Sequence, residues 1–289
     1  MFSTGHLIWI AISLILIAGG LIFLQKKAPQ FEDLIRVCFA LGLISEIVKI
    51  FSVAIILPVV DPVVSGSSVS YIPAGQYSPY LESSHLPFEL CSLQLVFYAI
   101  IIWSKSPKWK KRCTSLTFVC GSIGGMLGIV MAYIASEFST VKEFFSSPRV
   151  WQYFLFHAMV VVVGIYAGFG KNSTISFRDI KGVYMALISL DIISLYLNSI
   201  FSEPVYIDTK PVGLLYRANF FSSYVNPIGL VLTEKWQWIA YLNVRMLIAM
   251  LSIFVLFALQ HVVKKSTSIF SIISHTKILK WSPRHDREI

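Results

Sequence analysis

Residues 151–169 read WQYFLFHAMVVVVGIYAGF, a run from Trp151 to Phe169 that contains no Asp, Glu, Lys or Arg. At 1.5 Å of rise per residue, a helix of this length spans about 30 Å, the thickness of a bilayer's hydrocarbon core. The run stops at Gly170-Lys171, and Arg178 and Lys181 follow. An apolar stretch of this length closed by basic residues is the pattern of a transmembrane helix with a cytoplasmic end.

The pattern repeats in both directions. Earlier runs cover Leu7–Leu24, Phe39–Val60, Leu86–Trp103 and Ser115–Ile134; later ones cover Val183–Phe201 and Trp238–Phe257. The first has neither a basic leader nor a small-residue cleavage site, so it is expected to be a retained helix rather than a signal peptide. Gly121, Gly124, Gly125 and Gly128 in the fourth suit close helix packing. Residues 61–84, rich in Ser, Gly, Pro and Tyr, read as a loop, and 135–150 as a short polar connection. Residues 212–232 are partly apolar, but Arg217, Asn219, Asn226 and Pro227 predict a re-entrant or surface-lying segment instead of a span. The expected fold class is all-α, a polytopic seven-transmembrane-helix bundle over residues 1–263, with a basic cytoplasmic tail over 264–289.

Composition supports this class. The 289 residues are 56% hydrophobic and 13% charged, with a mean hydropathy of +0.71. A soluble domain carries about a quarter charged residues. The formal net charge is +9. On a soluble chain this would direct attention to nucleic acid. Here the basic residues flank apolar runs, so membrane lipids with anionic headgroups are the expected partners, and no nucleic acid is. Cys38, Cys91, Cys113 and Cys120 form no CxxC pair, so neither a metal nor a cofactor is expected.

Loop charge orients the bundle. Segments 25–37, 104–113, 170–182 and 264–289 fall on one side and hold three, five, three and six Lys or Arg. The opposite side carries a thinner mixture of both signs, so the basic side is expected to be cytoplasmic and the N-terminus outside. An eighth crossing at 212–232 would move the basic tail to the wrong side. The cell (plasma) membrane is the expected location.

Polar groups inside apolar runs mark candidate function. Cys91 near the start of the third run and His157 near the start of the fifth fall at similar predicted depths below the outer boundary. A thiol becomes a nucleophile once an imidazole takes its proton. A lone Cys also serves as a small buried filler, and a His as a bridge between helices. Glu89 lies at the same end and is a candidate to orient His157 or His85. Asp191 in the sixth run and Arg245 in the seventh are expected to face the bundle interior, as an ion pair or with Arg245 on a lipid phosphate. Asn198 and Asn219 are candidates for the outer cavity or for capping and loop hydrogen bonds. Glu46 and Lys49, three apart, neutralise one another on one helix face. Trp151, Trp236, Trp238 and Tyr241 read as interfacial anchors.

The stretch His85-Leu-Pro-Phe-Glu-Leu-Cys91 with its LPxxLC core, the Phe154-x-x-His157 element, and Ala218-Asn219-Phe220 with Pro227 before the last run together resemble the YwaF/TMEM164 family of integral membrane proteins. The order of these motifs covers most of the chain. Phe220 departs from the more usual Asn-Tyr pattern. The resemblance implies a membrane acyltransferase or transacylase acting on phospholipid or lysophospholipid, with Cys91 as acyl-accepting nucleophile and His157 as base. His85, Glu89, Asp191, Asn198, Asn219 and Arg245 are the candidate substrate-binding residues. The competing expectations are a small-molecule transporter with Asp191 and Arg245 lining its path, and a non-enzymatic membrane binding protein.

Overall fold

A computed structural model describes residues 3–65, 68–132, 134, 138, 140–207, 210–223 and 231–279. Helix α1 (Thr4–Lys27) is capped by the Ser3 side chain on the His6 N–H and ends with Ala28 in the left-handed region, its N–H on the Leu24 carbonyl. Helix α2 (Phe31–Val53) starts well before the expected Phe39, with Glu32 and Asp33 in its first turn, where the helix dipole favours acidic side chains. It also ends earlier, because Ile55 begins an antiparallel hairpin of β1 (Ile55–Ser65) and β2 (Ser68–Tyr80). The expected loop at 61–84 is therefore largely strand. Its many prolines fit a two-stranded ribbon, in which both strands are edges.

Leu86–Ser92 forms successive turns, and helix α3 covers only Leu93–Trp103. Pro87 interrupts the start of the run, and regular hydrogen bonding resumes with the Leu93 N–H on the Glu89 carbonyl. Helix α4 (Pro107–Val119) opens with proline in its first turn, continues through a π-helical turn at Cys120–Gly124, and passes into α5 (Gly125–Val130). The expected connection at 135–150 contains α6 (Val141–Ser146), closed by a Thr140–Glu143 capping box. Helix α7 spans Pro148–Phe169.

A 3-10 turn at Phe177–Asp179, capped by Ser176 and Asp179, leads into α8 (Ile180–Ile200). A second hairpin follows, β3 (Ser202–Ile207) against β4 (Lys210–Tyr216), and then a 3-10 turn at Phe220–Ser222. Within the segment expected to be re-entrant or surface-lying, the structure shows strand and turn as far as Ser223; Asn226 and Pro227 lie outside the described residues. Helix α9 (Lys235–Leu279) continues without a break across Val263 and Lys264.

Among the described residues, five helices are long and apolar enough to cross a membrane: Thr4–Lys27, Pro107–Val130, Pro148–Phe169, Phe177–Ile200 and Lys235–Ser266. The protein is a mostly helical, multi-spanning membrane protein. The all-α expectation is corrected by the two hairpins, and the count of seven is not reached on length and apolarity alone. Helix α2 carries Glu32, Asp33, Arg36, Glu46 and Lys49, and α3 is only 11 residues long.

Helix α7 is the centre of the bundle. Its most apolar stretch is 67% buried, against 17% for that of α9. It packs against α1, α2, α4, the π-helical turn and α5. One aromatic core joins Trp9 of α1 to Phe144 and Phe154, with Trp9 stacked on Phe154 at 5.2 Å. Trp151, expected as an interfacial anchor, sets its ring edge-on to Trp9 at 4.7 Å and donates its indole N–H to the Phe145 carbonyl. On the other side, Gly121 and Gly164 bring backbones into contact. A Cβ on Gly164 would lie 2.5 Å from the Ser122 nitrogen, and one on Gly121 would lie 2.7 Å from the Val160 carbonyl oxygen.

Neither neighbour is a side chain that can rotate away. Gly164→Val should therefore destabilise the bundle by about 1–3 kcal/mol, the usual range for overpacking. Gly182→Ala, where a Cβ meets nothing within 4 Å, should not. Unfolding of both variants in detergent checks the pair.

Candidate functional site

A cavity of about 2040 Å³ opens among the turn before α3, α5, α7, α8 and α9. Cys91, His157, His85, Glu89, Asp191, Asn219 and Arg245 all contribute to its wall. Asn198 is fully buried and works behind that wall.

His157 projects from α7 and is 4% exposed. Its Nδ1 lies 2.7 Å from the Tyr153 carbonyl oxygen. A carbonyl only accepts, so Nδ1 carries the proton and Nε2 keeps its lone pair in the neutral ring. The orienting group is thus a backbone carbonyl one turn earlier and not the Glu89 carboxylate expected from the sequence. Tyr153 also covers the imidazole, ring centroids 4.2 Å apart, and its hydroxyl donates to the Gly128 carbonyl at 2.9 Å. Gly128 makes room for this arrangement, since a Cβ there would lie 2.6 Å from Nε2.

Cys91 occupies the turn before α3, half-buried, and not the helix interior in which its depth was counted. Its thiol lies within electrostatic range of Glu89 and Lys49, and Tyr153 within range of Cys91. Glu89, two residues earlier in the same turn, lines the same wall as Phe221. His85, in the 3-10 turn Ser83–His85, is held below the usual imidazole value first by burial and then by Arg149 and Lys49, with Glu82 opposing them.

The strap Asn219–Ser223 closes one side. Phe221 and Ser222 adopt positive φ of 59° and 51°, a region that side chains other than glycine enter only under constraint. The constraint is visible. Asn198 of α8 accepts from the Phe220 N–H at 2.8 Å and donates to the Phe220 carbonyl at 3.0 Å and to Ser223 Oγ. From α9, Tyr241 donates to the Ser222 carbonyl at 2.7 Å and Trp238 to that of Ser223 at 3.2 Å. These two aromatics pin the strap, a role that their reading as interfacial anchors misses. Arg245 donates to the Phe221 carbonyl and pairs with Asp191 across α8 and α9. The ion-pair alternative for Asp191 and Arg245 is therefore the observed one.

Glu46 and Lys49 pair as their spacing predicts and also reach the cavity wall. Arg149, Tyr153 and Gly128 were not among the expected site residues. Only Gly128 left a trace in the sequence, as one of the glycines of the fourth run. Among the described residues, no three His, Cys, Asp or Glu are grouped to hold a metal ion.

Fold and cavity define a class, a multi-spanning helical membrane protein with a large chamber bordered in part by irregular backbone. More narrowly, the chain belongs to the TMEM164 family, whose sequence profile it matches over residues 1–258. No curated protein and no solved structure matches it.

Asn198→Leu removes three hydrogen bonds to the strap, two of them to groups that Ser194 or Ser223 also engages. At about 1 kcal/mol for each lost hydrogen bond, it should destabilise the protein by about 3 kcal/mol. It should also speed proteolysis next to Phe220, and limited digestion of variant and parent in detergent measures both effects.

Proposed function

We propose that this protein is a membrane acyltransferase or transacylase that moves a fatty acyl chain between phospholipid and lysophospholipid through Cys91 and His157. The observation that carries this reading is the tautomer of His157. With Nδ1–H committed to the Tyr153 carbonyl, Nε2 is the basic nitrogen, and His157 and Cys91 line the same cavity.

The reaction follows from these two groups. His157 Nε2 accepts the Cys91 proton as Sγ attacks the ester carbonyl. The carbonyl carbon–oxygen single bond breaks, and the departing lysophospholipid oxygen takes the proton back from His157. An acyl thioester remains on Cys91. The hydroxyl of a second lysophospholipid then gives its proton to His157, attacks the thioester carbonyl and releases the thiolate, which recovers the proton. No oxidant or cofactor enters the balance. The cavity volume exceeds the 300–1,000 Å³ typical of small-molecule sites, which suits a lipid.

The same reading takes α2 and α3 as spans six and seven of the set. In α2 the Glu46–Lys49 pair offsets its own charge, and in α3 the turn Leu86–Ser92 lengthens a short helix. With the N-terminus outside, the basic loops face the cytoplasm of a plasma-membrane protein and the chamber lies toward the outer leaflet. Transport has no comparable support, because Asp191 and Arg245 are engaged with each other and with Phe221.

Cys91→Ser and His157→Gln should each lower acyl exchange between labelled phospholipid and lysophospholipid in proteoliposomes by about a hundredfold or more. Melting temperatures should stay near that of the parent. Full activity in both variants would remove the proposal.

A further inference from the structure

One cation on the cavity wall has no role in acyl exchange as derived above. Arg149 lies in the first turn of α7, and its guanidinium donates to Gln152 Oε1 and sits over the Tyr153 ring, 5.7 Å from its centroid. Gln152 is itself fixed, its Nε2 donating to Ser45 Oγ of α2 at 2.7 Å. The amide is thereby turned so that its oxygen faces Arg149. Ser45 and Lys49 are one helical turn apart on α2, so this chain of contacts brings Arg149 toward the Lys49 side of the chamber.

A second observation gives the same placement. Arg149 and Lys49 both act electrostatically on His85, and Arg149 acts on His157. Both cations, one from α7 and one from α2, line the chamber with His85 and His157, Lys49 in its ion pair with Glu46. Arg217 and Arg245 also line the chamber, Arg245 bound to Asp191 and the Phe221 carbonyl. Leu127, Val130, Met131, Phe156, Leu187 and Val244 give the remainder of the chamber an apolar lining. The ligand that fits is anionic at one end and hydrocarbon at the other.

We propose that Arg149 forms a phosphate-binding subsite that holds the headgroup phosphate of a glycerolipid while the ester lies at Cys91 and His157. The position of the ester rests on the acyl-transfer reading; the phosphate subsite does not. A guanidinium offers forked donors that match phosphate oxygens two at a time. In a glycerolipid the phosphate and the esters hang on neighbouring glycerol carbons, so a cation close to the thiol and imidazole is where the phosphate arrives. Arg149 is a binding residue in this scheme and takes no part in proton transfer.

Binding to the Cys91→Ser protein in nanodiscs, where no turnover occurs, tests this directly. Three probes are titrated: lysophosphatidylcholine, a monoacylglycerol of the same chain length, and inorganic phosphate. The phosphate-bearing lipid should bind at least about tenfold more tightly than the neutral one, the effect of one charge-assisted hydrogen bond or more. Adding Arg149→Gln should abolish that difference while leaving monoacylglycerol affinity unchanged, which also shows that the variant is folded. Arg149→Lys should restore part of the preference. Inorganic phosphate should compete with lysophosphatidylcholine and leave monoacylglycerol binding alone.

Equal affinity for the two lipids, or an Arg149→Gln variant that weakens both alike, overturns the subsite. Tight binding of inorganic phosphate with no preference between the lipids overturns the assignment to a lipid and gives the site to free phosphate. If acyl exchange is never observed while the phosphate preference follows Arg149, the acyl reading fails and the subsite stands.

Discussion

The Phe221 carbonyl is held by charge: it accepts from the Arg245 guanidinium, which Asp191 neutralises in turn. Three parts of the chain meet in this contact: the strap, α8 and α9. Removing one member of a partly buried ion pair leaves the other charge uncompensated, which typically costs 3–5 kcal/mol. The positive φ of Phe221 and Ser222 persists because the strap is over-determined by these bonds and by those of Asn198, Tyr241 and Trp238.

The same economy of polar groups governs His157. Its proton-bearing nitrogen is satisfied by a carbonyl of its own helix, and the ring fits because residue 128 has no side chain. Helix α7 can carry this imidazole because it is covered on nearly all sides, with Trp9, Phe144 and Phe154 on one flank and the Gly121–Gly164 contact on another. Arg149 and Gln152 extend the network of α7 toward α2. Central packing and site chemistry are thus properties of one helix.

The apolar runs were legible because hydropathy sums over about 20 residues and does not depend on what packs against them. Residues 151–169, the run with which the reading began, became α7 with only three residues added at its start. Hairpin β1–β2 was not legible, because its prolines and glycines signal turns locally while its pairing is set between strands. The late start of α3 followed from Pro87, whose effect on the backbone the apolar count of Leu86–Trp103 ignored. Among the site residues, Asp191 and Arg245 were found because charge inside an apolar run is conspicuous. Arg149 was missed because its neighbours at 150–160 look like an ordinary helix start, and its alignment depends on Ser45, 107 positions from Gln152.

Three departures from regular helix surround the chamber: the turn Leu86–Ser92, the π-helical turn Cys120–Gly124 and the strap Asn219–Ser223. Each contributes to the wall, through Cys91 and Ser92, through Gly124, and through Asn219 to Ser222. Lipid cannot satisfy the backbone groups that such departures release, so within a bilayer they survive only against protein or beside a hydrated space. The chamber and the irregular backbone therefore require one another. On the strap that protein is in place: Asn198, Tyr241, Trp238 and Arg245 engage the peptide groups of Phe220 to Ser223. A bundle of regular helices with this composition would span the membrane equally well without bringing Cys91, Arg149 and His157 to one cavity wall.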